Sequence, residues 1–233
     1  MIPDICSMQI LLVAATTFEI QPTIDANSRK SPAGTPHLIQ PLITGVGGIA
    51  TTWSLMRQID RDRPDLVIQA GIGGSLREQK PGEVLVISED RFADLGVWEG
   101  GRFRTLFDMQ LAEGDAPPFV SGALPNPYGR LLAFTRLEAV GGLTINEITT
   151  SAERIRWYQQ NTSAVVESME GGPLHYVCLQ AQIPFLQLRS ISNTVGVRDK
   201  AKWDIKLAIS RLNEELLALL DNPALNKDIL VRS

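Results

Sequence analysis

Met8-Gln-Ile-Leu-Leu-Val-Ala-Ala15 is a short, continuous apolar run. A run of this kind predicts a strand buried on both faces, the usual state of a strand in a parallel sheet. Thr16-Thr-Phe-Glu-Ile20 follows at once and predicts a turn into a helix, with a threonine available as cap. Strand passing directly into capped helix is the opening of an α/β unit, and the rest of the chain can be read against it.

Asp25 to Pro36 is polar and rich in Gly and Pro, so it reads as loop. A second strand, His37 to Ile43, runs into Thr44-Gly-Val-Gly-Gly48, and an amphipathic helix follows over Ile49 to Asp60. The third strand, Leu66 to Ala70, ends in a further glycine cluster, Gly71-Ile-Gly-Gly-Ser75, read as a turn. A fourth strand, Glu83 to Ser88, follows the Pro81-Gly82 turn. From Arg91 to Tyr128 the periodicity weakens into an excursion of long loops, which are either surface or a cover over a pocket.

Regularity returns at Arg136 to Thr144, followed by a helix near Ser151 to Asn161. Another apolar strand, Ala164 to Met169, ends at Glu170-Gly-Gly-Pro173. A helix over Leu174 to Gln182 leads to the strand Phe185 to Ile191, with Ser192-Asn193 at its end. Trp203 to Leu220 carries apolar residues at helical spacing and should pack on the sheet. The pattern predicts one α/β domain over residues 1–233, a three-layer α/β/α sandwich around a twisted, mostly parallel central sheet. Ligands are then expected at the carboxyl ends of the strands.

The bulk properties narrow the partners. With 44% hydrophobic residues and a net charge of −4, the chain suits a packed core and offers no electrostatic case for nucleic acid or an anionic membrane. Cys6 and Cys178 form no CxxC pair, as expected of a reduced, cytoplasmic protein. His37 and His175 have no metal-type spacing around them, so neither a metal nor an organic cofactor is expected. No apolar run approaches the ~20 residues of a membrane span, and the N-terminus lacks the form of a secretion signal.

Three polar side chains stand at or just beyond predicted strand ends: Glu19, Glu170 and Asn193. Taken singly, each has an ordinary reading, as helix cap, surface charge or turn residue. Gly45-Val-Gly-Gly48 is either a tight turn or a loop that brings backbone N–H groups to an anion or ribose at a helix start. It does not complete G-x-G-x-x-G, because Ala50 stands three residues after Gly47.

In this order the segments resemble the nucleoside phosphorylase and nucleosidase superfamily, and the likeness covers most of the chain. Ile10-Leu-Leu-Val-Ala-Ala-Thr-Thr-Phe-Glu19 resembles the strand that delivers a glutamate base, and Thr44-Gly-Val-Gly-Gly-Ile-Ala50 the Ser-Gly-Ile-Gly stretch. Gln69-Ala-Gly-Ile-Gly-Gly-Ser-Leu76 and Lys80-Pro-Gly-Glu-Val-Leu-Val-Ile87 resemble the glycine-rich turn and the strand after it. Val166-Glu-Ser-Met-Glu170 is similar to the Glu-Met-Glu signature, with a serine inserted before Met169. Leu188-Arg-Ser-Ile-Ser-Asn193 is similar to Arg-Ala-Ile-Ser-Asp. Within the superfamily, Phe92-Ala-Asp-Leu-Gly96 and the Asn193 motif are similar to the futalosine hydrolases of the alternative menaquinone route.

The resemblance implies an N-glycosidic hydrolase that takes hypoxanthine from futalosine and works as a homodimer. Other members of the superfamily, a methylthioadenosine-type nucleosidase or a 6-oxopurine phosphorylase, are the alternatives, with a non-catalytic nucleoside-binding protein as a third. It implies Glu19 as the base that receives a proton from water, with Glu170 on the ribose hydroxyls and Met169 as an apolar wall. Gly47 and Gly71 are expected in the substrate site. Asn193 replaces the Asp of adenine-type nucleosidases: an amide cannot act as an acid, but its NH2 can donate to O6 or N7 of a 6-oxopurine. Gln69-Ala70-Gly71 lacks the arginine that one branch of phosphorylases uses to hold phosphate, which favours water as nucleophile. For the aryl carboxylate of the 5′ extension the candidates are Phe103, Phe107, Arg102, Arg104 and Arg198.

Overall fold

The structure, a computed structural model, describes residues 7–30, 37–197 and 199–232. Strand β1 (Gln9–Ala14) is the expected buried run, half-buried only at its first residue. It pairs in parallel with β2 (Leu38–Ile43) on one side and β3 (Leu66–Ser75) on the other. Its leucines, isoleucine and valine are at or near zero exposure, and each such side chain contributes about 1.5–3 kcal/mol by leaving water. Pro41 lies in β2, which is the edge of the sheet, where a missing N–H costs no ladder bond.

The remaining order is β10-β4-β8-β9-β3, built from β4 (Val84–Phe92), β8 (Glu138–Thr144), β9 (Ala164–Ser168) and β10 (Phe185–Thr194). Because β3 also pairs with β10, these five strands close into a ring. The chain is α/β as expected, but the sheet is mixed. β10 runs antiparallel to β4 and β3 antiparallel to β9, while β4–β8, β8–β9 and β10–β3 are parallel. Among the described residues the sheet makes five parallel and three antiparallel pairings. The closure comes from β3, which continues five residues past its predicted end.

The reason is chemical. Gly71-Ile-Gly-Gly-Ser75 was expected to turn, but all of it is strand. A Cβ at Gly71 would stand 2.4 Å from Nη1 of Arg189, and one at Gly73 would stand 2.7 Å from Val166. Here glycine makes room for neighbouring strands rather than for a turn.

Helices cover the sheet in two pairs. α1 (Thr17–Ser28) packs on α6 (Ile205–Leu220), and α6 reaches β3, β4 and β10. α2 (Gly48–Arg61) packs on α5 (Gly171–Ala181), and α5 reaches β3, β4, β8 and β10. α1 runs into the segment expected to be loop. The Arg91 to Tyr128 excursion holds a hairpin of β5 (Gly96–Glu99) and β6 (Arg102–Thr105) and a short β7 (Leu124–Pro125) on β4. Two helices complete the order, α3 (Gly129–Phe134), which the sequence did not suggest, and the expected α4 (Ala152–Asn161). Among the described residues no helix is long and apolar enough to cross a membrane.

Candidate active site

Glu19 reaches its position through the sequence Thr16-Thr-Phe-Glu19. Thr16 is the N-cap of α1, and its N–H and hydroxyl both donate to Glu19 Oε2, each at 2.9 Å. This is half of a capping box, in which a glutamate at the third helical position satisfies an orphan N–H. Oε1 accepts from the N–H of Ile72 at 3.2 Å, so the carboxylate bridges α1 and β3. It is 5% exposed.

Glu170 is the N-cap of α5 and is 6% exposed. Its Oε1 accepts from the N–H of Gly47 at 3.0 Å, and Arg189 Nη1 lies 3.5 Å from Oε2. Gly47, at φ +93°, is the N-cap of α2, so the expected anion at that helix start is a carboxylate of the chain itself. Arg189 also donates to Gln69 Oε1 at 2.8 Å, and Gln69 donates in turn to the Glu170 carbonyl at 3.3 Å. A buried carboxylate needs such partners, since leaving water uncompensated would drive it to neutrality.

Asn193 stands where β10 bulges against β3, the register shifting between Ile191 and Asn193. The extra residue re-aims the strand end, as bulges beside ligand sites do. Its Oδ1 accepts from Ser192 Oγ at 2.8 Å, and Nδ2 donates to the Thr194 carbonyl at 2.9 Å. One N–H of Nδ2 is left to donate elsewhere, and the amide oxygen keeps a second lone pair beside the one that Ser192 engages.

Glu19, Met169, Glu170 and Asn193 line one cavity of about 250 Å³. Its apolar wall includes Phe18, Val46, Ile145, Ile148, Val195 and Trp203. Gly71 stays outside this lining and instead holds space for Arg189 and Glu19 Oε1, which a Cβ there would approach to 2.4 and 3.0 Å. Phe103 and Arg104 also stay outside it. Phe103 packs edge-on against Trp157 at 5.9 Å, and Arg104 pairs with Glu99 at 2.6 Å on the β5–β6 hairpin. Arg102 and Phe107 are likewise absent from the lining. Arg198 lies outside the described residues.

Sequence reading assigned no role to Glu167, which also lines the cavity and is 7% exposed. Burial raises its pKa, against hydrogen bonds from Thr149 that lower it. The signal was the first glutamate of the Glu-Met-Glu signature, which the inserted Ser168 sets one residue further from Met169. Arg189 was visible only as part of a motif, because nothing local announces its ion pair. Cys178 is fully buried, and burial pushes its thiol up, so it is no nucleophile. Cys6 lies outside the described residues.

Another buried carboxyl lies behind the site. Asp90 is fully buried, and Thr144 Oγ1 donates to it at 2.8 Å while accepting the N–H of Gly172 in the first turn of α5 at 2.6 Å. Burial, outweighing hydrogen bonds from Thr144 and Gln187, pushes its pKa from 3.8 up to about 6. Its stabilising contribution is therefore complete below pH 3.8 and lost as pH rises through about 6. Asp90→Asn keeps the acceptor for Thr144 and cannot ionise. It is expected to raise Tm by about 5–10 °C at pH 8, from about 2–3 kcal/mol, and to match the parent near pH 4. Thermal melts of both proteins across this range check it, and parallel pH profiles would refute it.

Comparison with known proteins identifies the family. The model of the phosphorylase superfamily matches residues 38–222. The futalosine hydrolase of Thermus thermophilus is 30% identical over 181 residues, 77% of this chain and 80% of that protein. The futalosine hydrolase of Acidothermus cellulolyticus is 32% identical over 184 residues, 76% and 73% of the two chains. Among solved structures, the 5′-methylthioadenosine/S-adenosylhomocysteine nucleosidase of Helicobacter pylori with butyl-thio-DADMe-Immucillin-A superposes with a TM-score of 0.77 at 18% identity. The match covers 93% of this chain and 99% of that one, and it speaks for the fold alone.

Proposed function

We propose that this chain, which belongs to the phosphorylase superfamily and within it to the futalosine hydrolases, cleaves the N-glycosidic bond of futalosine, giving hypoxanthine and dehypoxanthine futalosine. The observation that carries this reading is the meeting of Glu19, Glu170, Met169 and Asn193 in one cavity. Breaking the bond between C1′ and N9 leaves positive charge on the sugar and puts an electron pair on the purine. A catalyst must bind that distribution better than the substrate. In our reading Glu19 takes a proton from the water that adds to C1′, and the departing purine anion takes up a proton from solvent to become hypoxanthine. Glu170 accepts from the ribose 2′- and 3′-hydroxyls and places its charge beside the cationic sugar, with Met169 as the apolar wall.

Asn193 supports a 6-oxopurine. Its free Nδ2–H suits O6, where the amino group of adenine would set donor against donor at a cost of about 1–3 kcal/mol. Water as the nucleophile is supported by Arg189. That guanidinium is buried and committed to Glu170 and Gln69, so it is not offered to a phosphate. A homodimer is supported by Ile49, Trp53 and Met56, which stand exposed at helical spacing along α2.

For the 5′ extension, Arg104 is spent on Glu99, so Arg104→Ala is expected to leave KM for futalosine within about twofold of the parent. A tenfold rise in steady-state KM would bring the hairpin into the site. The reaction itself is tested by chromatography of bases released from futalosine, inosine and methylthioadenosine, with and without phosphate. Hypoxanthine from futalosine alone, indifferent to phosphate, is expected. Adenine from methylthioadenosine would overturn the 6-oxopurine reading, and phosphate-dependent release would make the chain a phosphorylase.

A further inference from the structure

Pro22 sits inside α1, in the turn after Glu19. Proline has no N–H, so the carbonyl of Phe18 loses its ladder donor, and the ring presses against that carbonyl. At the next rung an uninterrupted helix joins the Thr23 N–H to the Glu19 carbonyl. Here the carboxamide of Asn213, on α6, binds both groups. Thr23 N–H donates to Asn213 Oδ1 at 3.0 Å, and Asn213 Nδ2 donates to the Glu19 carbonyl at 2.8 Å. Thr23 Oγ1 also donates to Oδ1, at 2.6 Å, and the second N–H of Nδ2 goes to the Ile209 carbonyl at 2.8 Å. Both lone pairs and both N–H groups of the amide are therefore used, and Asn213 is buried.

α6 is also held at the other end of the cavity. Its N-cap, Asp204, donates its N–H to the carbonyl of Ser192 at 2.9 Å, next to Asn193, and Trp203 lines the cavity. At about 1.5 Å per residue, Asp204 and Asn213 stand roughly 14 Å apart along the axis. One helix thus joins the strand end that carries Asn193 to the backbone that carries Glu19. We propose that Asn213 is a positioning residue for hydrolysis, its carboxamide tying the Glu19 peptide to α6 and so placing the carboxylate against the water it deprotonates. The inference rests on the reading of Glu19 as the base. Thr16 and Ile72 fix where the carboxylate oxygens point, and Asn213 fixes the peptide from which the side chain springs. A purely structural asparagine would do no more than mend α1 at Pro22. A tether does more. Its loss moves Glu19 relative to Met169, Glu170 and Asn193, which stand on other elements, and a displacement of about 1 Å costs on the order of 10²-fold in rate.

The test is steady-state kinetics with thermal melts, on whichever of futalosine, inosine and methylthioadenosine the parent cleaves. The proteins are the parent, Asn213→Ala, Asn213→Ala combined with Pro22→Ala, and Glu19→Gln as reference. Asn213→Ala is expected to lower kcat about 10- to 100-fold, with KM within about threefold of the parent. Pro22→Ala returns the missing N–H to the ladder, so the double variant should regain Tm while kcat stays low. Should the single variant not fold, the kcat of the double variant decides alone. Recovery of kcat together with Tm would overturn the proposal and leave Asn213 as a repair of the helix. Parental kcat in Asn213→Ala, or a loss carried by KM, would overturn it too. Parental hydrolysis by Glu19→Gln, or a parent that cleaves none of the three nucleosides, would remove the base reading and this inference with it.

Discussion

Glu19→Gln is expected to lower kcat for futalosine by about 10²- to 10⁴-fold, the contribution typical of a general base. The reason is visible in its partners. Oε2 accepts from Thr16 and Oε1 from Ile72, so the group is held by donors on both sides with lone pairs left for a water. An amide in this place must turn its NH2 toward one of two backbone N–H groups, at about 1–3 kcal/mol of stability. Activity and Tm are therefore measured together. A large fall in kcat with a modest fall in Tm is the expected pair. Hydrolysis at the parental rate would remove Glu19 as the base and leave it as the cap of α1. Glu19→Asp separates the two roles, because it keeps the charge and withdraws it by one methylene.

Arg189→Met is expected to be the most destabilising change at the site. Arg189 is 1% exposed and is the cationic partner of Glu170, so its loss leaves a buried carboxylate with only the Gly47 N–H opposite. Breaking a buried pair on one side costs about 3–5 kcal/mol, which for a chain of this size lowers Tm by roughly 6–20 °C. Adding Glu170→Gln to the same protein should recover a large part of that stability while hydrolysis stays lost, because the uncompensated charge has gone and the ribose contact has not returned. If the double variant is as unstable as the single one, packing of the arginine stem rather than charge carries the effect. Chemical denaturation of the three proteins distinguishes the outcomes.

Much of this was legible before any coordinates. The apolar run of β1, the Thr16-Thr-Phe-Glu19 cap and the glycine start of α2 are local signals, complete within a few residues, and all three lie where the pattern put them. The strand ends that carry Glu19, Glu170 and Asn193 were located the same way, and those residues do share one cavity. The readings that changed depended on distant partners. Gly71-Ile-Gly-Gly-Ser75 has the composition of a turn, and nothing inside it tells that Arg189 and Val166 will occupy the space a side chain would need. Arg104 has the charge to meet a carboxylate, but Glu99 across the hairpin claims it.

The sequence by itself thus determined the α/β order, the capped helices and the residues presented at the strand ends, because periodicity and turn chemistry act between near neighbours. Only the tertiary structure decided that β3 would close the sheet into a ring. It also decided that Arg189 and Gln69, 120 residues apart, would meet beside Glu170, and that Glu167 would face Asn193 across Gly74. Those choices rest on register and on the exclusion of volume between strands remote in the chain. Both are properties of packed surfaces, which a local pattern does not encode.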